Sequence, residues 1–180
     1  MAGQFGELGV EHILTGYDHL AFVLALMLGA RDARGLFWLV TTFTVAHSLT
    51  LGAATLELIR LPSSVVEPLI AASIAFVGVE NLVRPPLGRR MALTFAFGLV
   101  HGLGFAGLLA ELGVPRSSLA LALVSFNLGV EAGQLAVVAV AMAVMWPLRR
   151  HPRWEDRIAP GLSLVLALAG VGWLVERLSG

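Results

Sequence analysis

Apolar positions along this chain fall into six long runs, near His12–Leu28, Leu36–Leu58, Val65–Val83, Met91–Ala110, Ala120–Trp146 and Ile158–Leu178. A helix crossing a bilayer needs about 20 such residues. The breaks between the runs are short and carry turn chemistry. Gly29 to Gly35 holds Arg31, Asp32 and Arg34; Arg60-Leu61-Pro62, Arg84-Pro85-Pro86 and Gly113-Val114-Pro115 close the next three runs. Leu148 to Arg157, with Pro152, is the longest linker. Short links make neighbouring helices antiparallel. The pattern predicts an all-α, polytopic membrane protein, a bundle of about six transmembrane helices in a single domain over residues 1–180. A β-barrel would need alternating strands of about 10 residues, whereas these runs are continuously apolar and rich in Leu and Ala.

Composition leads to the same class. The chain is 57% apolar and 13% charged, with a mean hydropathy of +0.84. A soluble domain carries about 25% charged residues, so this chain cannot coat a globule of its size. The formal net charge is +0, which points away from nucleic acid as a partner. Cysteine and lysine are both absent, which excludes disulfides, zinc-thiolate sites, thiol catalysis and a lysine nucleophile.

Loop arginines set the expected orientation. Arg31, Arg34, Arg84, Arg89, Arg90, Arg149, Arg150, Arg153 and Arg157 fall after the first, third and fifth runs, against Arg60, Arg116 and Arg177 on the other side. Both termini are expected on the non-cytoplasmic side of the inner (cytoplasmic) membrane. Trp38 and Trp146 fall at the expected cytoplasmic interface, where indoles prefer to sit. Met1 to Glu11 lacks a basic segment and carries Glu7 and Glu11, so no cleavable leader is expected there.

The polar residues inside the apolar runs carry the candidate chemistry. They are His12, Asp18, His19, His47, Glu67, Glu80, His101, Asn127, Glu131 and Gln134. A charge at the bilayer centre costs about 2.5–3.5 kcal/mol on insertion scales, so such groups gather around one another or around cargo. At about 1.5 Å per residue, His47, His101 and Glu131 fall roughly 15–17 Å into the membrane, and Asp18 and His19 about 9–10 Å from the outer edge. Asn127, Glu131 and Gln134 share one helical stripe, and Thr44, His47 and Ser48 make another. His12 and His19 share a face but lie two turns apart, about 10.5 Å along a straight helix. Either a helix starts near Gly16 and lets His12 fold back, or the two histidines act in sequence. Asp18 is a further ligand or an orienter of His19.

Bland readings stand beside these. Glu67 precedes Pro68 at a helix start, where a carboxylate suits the dipole. Glu80 is placed to pair with Arg84. Asn127 and Gln134 suit interhelical hydrogen bonding, and Ser48, Ser73 and Thr44 bonding to their own helix. Small-xxx-small spacing at Gly98/Gly102 and Gly129/Gly133 predicts close helix contacts. One such contact would bring His101 near Glu131; packing alone also accounts for the glycines.

These residues resemble a known family. His12-Ile-Leu-Thr-Gly-Tyr-Asp18-His19 fits the H-x-x-x-x-x-D-H signature of the HupE/UreJ proteins. The likeness continues through Phe43-Thr44-Val45-Ala46-His47-Ser48-Leu49-Thr50, Val66-Glu67, Ile70-Ala71-Ala72-Ser73-Ile74, Glu80-Asn81, Phe97-Gly98-Leu99-Val100-His101-Gly102-Leu103-Gly104-Phe105-Ala106 and Phe126-Asn127-Leu128-Gly129-Val130-Glu131-Ala132-Gly133-Gln134. It is strongest to the broader, second branch of that family. HupE/UreJ proteins are associated with hydrogenase and urease maturation and are regarded as nickel or cobalt permeases. The resemblance implies metal binding at His12, Asp18 and His19, and transport roles for Glu67 and His101, with Glu131 the loosest match. Many relatives begin with a leader or an outer extension; here a periplasmic metal-capture segment is expected to be missing.

Imidazole and carboxylate without thiolate suit borderline divalent metals. The leading expectation is therefore a permease for a divalent transition metal. Nickel ranks first and cobalt or zinc next, as substrate or bound ion, held by His12, Asp18, His19, His47, Glu67, His101 and Glu131. Ser48, Glu80, Asn127 and Gln134 support the path. No P-loop is present, so ATP is not expected to drive it. An intramembrane zinc hydrolase is the alternative, with Glu131 as base. A third class is a metal sensor or an assembly partner. Lipid and metal are the expected partners, and a homo-oligomer is compatible with the sequence.

Overall fold

The computed structural model describes residues 2–104 and 115–179. Among these residues it is helical, with no strand. Helices α1 (Ala2–Thr15) and α2 (Tyr17–Gly29) are followed by α3 (Ala33–Thr55), α4 (Ser63–Val83), α5 (Leu87–Leu103), α6 (Leu119–Arg149) and α7 (Ala159–Ser179). Among the described residues, four spans are long and apolar enough to cross a membrane: Ala33–Thr55, Ser63–Val83, Leu119–Arg149 and Trp154–Ser179. The pair α1 and α2, bent by 73° at its break, is apolar enough together to count as a fifth if it is one broken span rather than a re-entrant loop. The expected run Met91–Ala110 passes beyond Gly104 into residues outside those described.

Local chemistry sets the ends. Asp32 caps α3, its Oδ1 accepting from the Gly35 N–H at 2.6 Å. Arg84 closes α4 in the left-handed region at φ 51°. That conformation is costly for a non-glycine residue, and the Arg84 guanidinium is held there by the Glu155 carboxylate at 2.7 Å. The linker after the fifth run is more ordered than its composition implies. Helix α6 continues through Pro147 to Arg149, and Trp154–Ile158 forms a π-helical turn leading into α7.

The helices assemble as three tight pairs, α1 on α6, α3 on α5 and α4 on α7, around a central α2. Each pair meets through glycine. A Cβ at Gly9 would strike the backbone of Phe126, one at Gly98 would lie 2.8 Å from the Phe43 carbonyl oxygen, and one at Gly78 would lie 2.8 Å from the Ser163 carbonyl oxygen. Backbones this close gain dispersion contacts that compensate for the missing hydrophobic drive between helices in lipid. The expected small-residue contacts therefore exist with other partners. Gly98 and Gly102 seat on α3, and Gly129 and Gly133 on α1, so the glycines do not join His101 to Glu131.

Helix α2 is the buried element. Ala21, Phe22, Ala25 and Leu26 pack against Leu39, Phe43, Ile74 and Val77. By contrast, only 28% of the most apolar window of α6 and 22% of that leading into α7 are buried, leaving long apolar faces for lipid.

The residues ahead of the first apolar run are helical, and α1 continues through His12 to Thr15. Gly3, Gly6 and Gly9 lower helix propensity, but Gly9 of α1 and Gly129 of α6 are what allow this segment to lie against α6.

Candidate functional site

Four helix segments deliver one histidine each to a common point: His12 from the last turn of α1, His19 from the first turn of α2, His47 from the middle of α3 and His101 from the end of α5. The bend between α1 and α2 makes this possible. The axis turns by 73° at Gly16, and the His12 and His19 rings come to 4.5 Å between centroids. A Cβ at Gly16 would sit 2.7 Å from the His12 carbonyl oxygen and 3.0 Å from His19 Nδ1, so only glycine fits the corner. Folding back at Gly16 is thus the arrangement adopted.

The remaining distances close the cluster. His12 and His47 are 6.0 Å apart, His19 and His47 5.8 Å, and His19 and His101 5.1 Å. Aromatic rings wall it in: Phe22 lies 4.9 Å and Phe43 5.1 Å from His101, and Phe126 lies 5.7 Å from His12. His47 and His101 are fully buried, and His19 is nearly so.

The hydrogen bonding around the rings is incomplete. Ser73 Oγ lies 2.6 Å from the Ile70 carbonyl and donates its proton there. Its oxygen can then only accept from His101 Nε2 at 2.9 Å. Assigned this way, the His101 proton is on Nε2 and the Nδ1 lone pair is available. Among the described residues, His101 Nδ1, His19 Nε2 and both ring nitrogens of His47 are buried without a hydrogen-bond partner. Buried polar atoms are normally satisfied, and here several unmet nitrogens lie around one point. As they stand, no three His, Asp or Glu side chains among the described residues are arranged to hold an ion. The rings meet edge to face, at interplanar angles of 66°, 77° and 83°, instead of turning their nitrogens to one centre.

The other candidates lie around this cluster. The Asp18 carboxylate is taken by Arg177, whose Nη2 donates to both oxygens at 3.0 and 2.8 Å. Arg177 also donates to the Glu67 carbonyl at 2.9 Å, while the Glu67 residue itself is exposed. Thr41 donates to Glu131 at 3.1 Å and Thr44 to Gln134 at 2.8 Å, so α3 and α6 share a polar seam about one helical turn long beside His47. Asn127 and Ser48 bond to their own helices, at the Leu123 and Thr44 carbonyls. Buried Glu80 lies 3.7 Å from Arg89, not against Arg84, because Arg84 is turned to Glu155. His151 is exposed.

Sequence reasoning missed three contributors. Ser73 was read as a helix-bonded serine, which it is, but the same hydroxyl orients His101. Arg177 was counted only for orientation, although a lone arginine in the last apolar run has to find a carboxylate. The phenylalanine walls carry no signal distinguishing them from ordinary core.

No curated protein matches this chain, and no solved structure does. The family model described as HupE / UreJ protein matches residues 1–177, nearly the whole of a multi-pass bundle with its imidazoles gathered inside, and the chain belongs to the HupE/UreJ family.

Proposed function

We propose that this protein is a permease of the inner membrane for a divalent transition metal, with nickel first and cobalt or zinc as alternatives. The observation that carries the reading is the cluster of His12, His19, His47 and His101 at one point within an otherwise apolar bundle. The chemistry of the set fits such cargo. Neutral imidazole is a ligand for Ni, Zn and Co, and the phenylalanine walls offer no competing donor. A rotation of the rings about their side-chain torsions turns edge-to-face packing into ligation at about 2.0–2.1 Å.

The protein is read as one domain of six spans with both termini outside the cytoplasm. The metal comes in past exposed Glu67 and the Asp18–Arg177 pair and is held by the four imidazoles. It then passes along the seam of Thr44, Gln134, Thr41 and Glu131 towards Glu80. Opening the Asp18–Arg177 pair frees a carboxylate next to His19 as the cation arrives. Protons compete for the same ligand nitrogens, so uptake falls as the medium is acidified.

The test is nickel accumulation by vesicles reconstituted with the purified protein. Wild type is expected to load metal, and His47→Ala and His101→Ala to load at the background of empty vesicles. Accumulation by both variants equal to wild type overturns the proposal.

The compactness of the cluster favours a second reading, an intramembrane zinc hydrolase, because an enzyme needs its ligands around one ion. It also needs a base free to take a proton from water, and the Glu131 carboxylate already accepts from Thr41. Metal crossing the membrane without turnover of any ester or amide substrate separates the two.

A further inference from the structure

A second polar site lies at the end of the bundle that carries the arginine-rich loops. His19 and Gly29 are ten residues apart on α2, roughly 15 Å, so this site is distinct from the imidazoles. A cavity of about 520 Å³ opens there between the α2–α3 turn, the α4–α5 turn and the linker ahead of α7. Arg31, Arg84, Arg90 and Arg149 line it, with Asp32 and Glu155 as the acids in its wall among the described residues. Both acids are already engaged, Asp32 as the cap of α3 and Glu155 with Arg84. Arg31 reaches the Arg84 carbonyl and Arg149 the Ala30 carbonyl, and Arg149 also lies over the Trp154 ring at 5.7 Å; neither guanidinium has a carboxylate partner among the described residues.

Arg90 is the unusual member. It is 4% exposed, and its Nη1 donates to Asn81 Oδ1 at 2.8 Å. Its Nε and Nη2 are buried with no acceptor among the described residues. The neighbouring buried carboxylate, Glu80, makes no hydrogen bond to it and lies against Arg89 instead. A guanidinium keeps its proton in any protein environment, so a buried one that feels the Glu80 charge but has no hydrogen-bonded acid is costly. The Nε–Nη2 edge is also the edge that takes two oxygens of one oxyanion in parallel.

We propose that this cavity is an oxyanion site for a phosphate group, with Arg90 at its floor and Arg31 and Arg149 at its rim. The excess of arginine over acid and the volume suit a tetrahedral phosphate. Two sources share that chemistry, the headgroup of an anionic phospholipid and soluble phosphate. A purely structural role for Arg90 is the competing account. Asn81 also donates to the Ala25 carbonyl and to Ser163 Oγ, so Arg90 completes a brace between α2, α4, α5 and α7.

The experiment uses the full chain, purified in detergent with no metal added, so its outcome is independent of transport. Retention of phosphatidylglycerol against phosphatidylcholine is read by native mass spectrometry, and inorganic phosphate binding by calorimetry. Wild type is expected to prefer the anionic lipid or to bind phosphate, the first outcome assigning a lipid source and the second a soluble one. Arg90→Gln is expected to weaken that binding about tenfold, the scale of one lost charge-assisted pair. Arg90→Lys does not restore it, since an ammonium lacks the two-pronged edge. The rim double variant Arg31→Gln/Arg149→Gln leaves the Asn81 brace intact and weakens binding by a smaller factor; it decides the matter if Arg90→Gln does not fold. Equal binding by wild type and the rim variant, or no binding of either probe by wild type, overturns the proposal.

Discussion

The two polar centres of this bundle solve opposite problems. At the histidine end, four side chains able to shed their charge are packed among phenylalanines, and several nitrogens of His19, His47 and His101 have no partner among the described residues. At the arginine end, side chains that cannot shed their charge are spread over backbone carbonyls, an asparagine and two carboxylates. A neutral imidazole in an apolar wall forgoes one or two hydrogen bonds, whereas a guanidinium there forgoes solvation of a full charge. Incomplete satisfaction is therefore tolerable at the first centre, whereas at the second a network holds the charges in place although Arg90 Nε and Nη2 stay unmet among the described residues. If this contrast is right, the histidines serve cargo at some cost to stability, while the asparagine and arginine network contributes to the fold itself.

The sharpest way to break the contrast is to separate stability from binding at His47. Its ring is fully buried and both nitrogens lack partners among the described residues. Replacing it by leucine removes two unsatisfied polar atoms and keeps apolar bulk beside Phe43. His47→Leu is expected to weaken nickel binding by a hundredfold or more, on the order of 3 kcal/mol in binding free energy, while the thermal midpoint of the protein holds or rises. Calorimetric titration with nickel and a melting curve on the same preparation check both halves. A large fall in melting temperature would mean that His47 is a structural residue and that the contrast is false.

The complementary change belongs to the arginine end. Asn81 accepts from Arg90 and donates to the Ala25 carbonyl and to Ser163. Asn81→Ala leaves Arg90 with no side-chain acceptor and the Ala25 carbonyl without that donor. A loss of about 1–3 kcal/mol in stability is expected, the cost of stranding a buried polar group, with nickel affinity within twofold of wild type. Unfolding in denaturant and the nickel titration measure the two effects. A loss of metal binding with unchanged stability would show that the two ends are not separate systems.

How far each centre was legible in the sequence follows from the same physics. Histidines inside apolar runs stand out because their burial is expensive without a shared purpose, and His12, His19, His47 and His101 were all recognisable on that ground. The corner at Gly16 was legible as one of two options, since the spacing of His12 and His19 forbids a common point on a straight helix. Helix α1 was not legible. Its glycines argue against a helix locally, and the backbone of α6 that rewards them lies more than a hundred residues away. Gly98 and Gly102 announced a close contact, but the partner helix is a property of topology, and α3 took the place assigned to α6. Glu80 looked bound to Arg84, its neighbour one turn on. The left-handed residue that ends α4 turns Arg84 outward, and no local propensity announces that turn.

Ser73 gives the finest test, because it touches the histidine cluster only through His101. Its hydroxyl donates to the Ile70 carbonyl and accepts from His101 Nε2–H, which holds the ring with its Nδ1 lone pair free. Such orienting contacts are worth about 10–100-fold in metal affinity. The effect here belongs at the low end, since three other imidazoles remain. Ser73→Ala is expected to weaken nickel binding about tenfold with little change in melting temperature. Replacement by threonine, which keeps the hydroxyl, restores most of the affinity. The tautomer supplies a readout that a packing defect would not move: the nitrogen chemical shifts of the His101 ring report a proton on Nε2 in the wild type and a mixture in Ser73→Ala. Unchanged shifts in that variant would remove Ser73 from the site and leave His101 oriented by its aromatic neighbours alone.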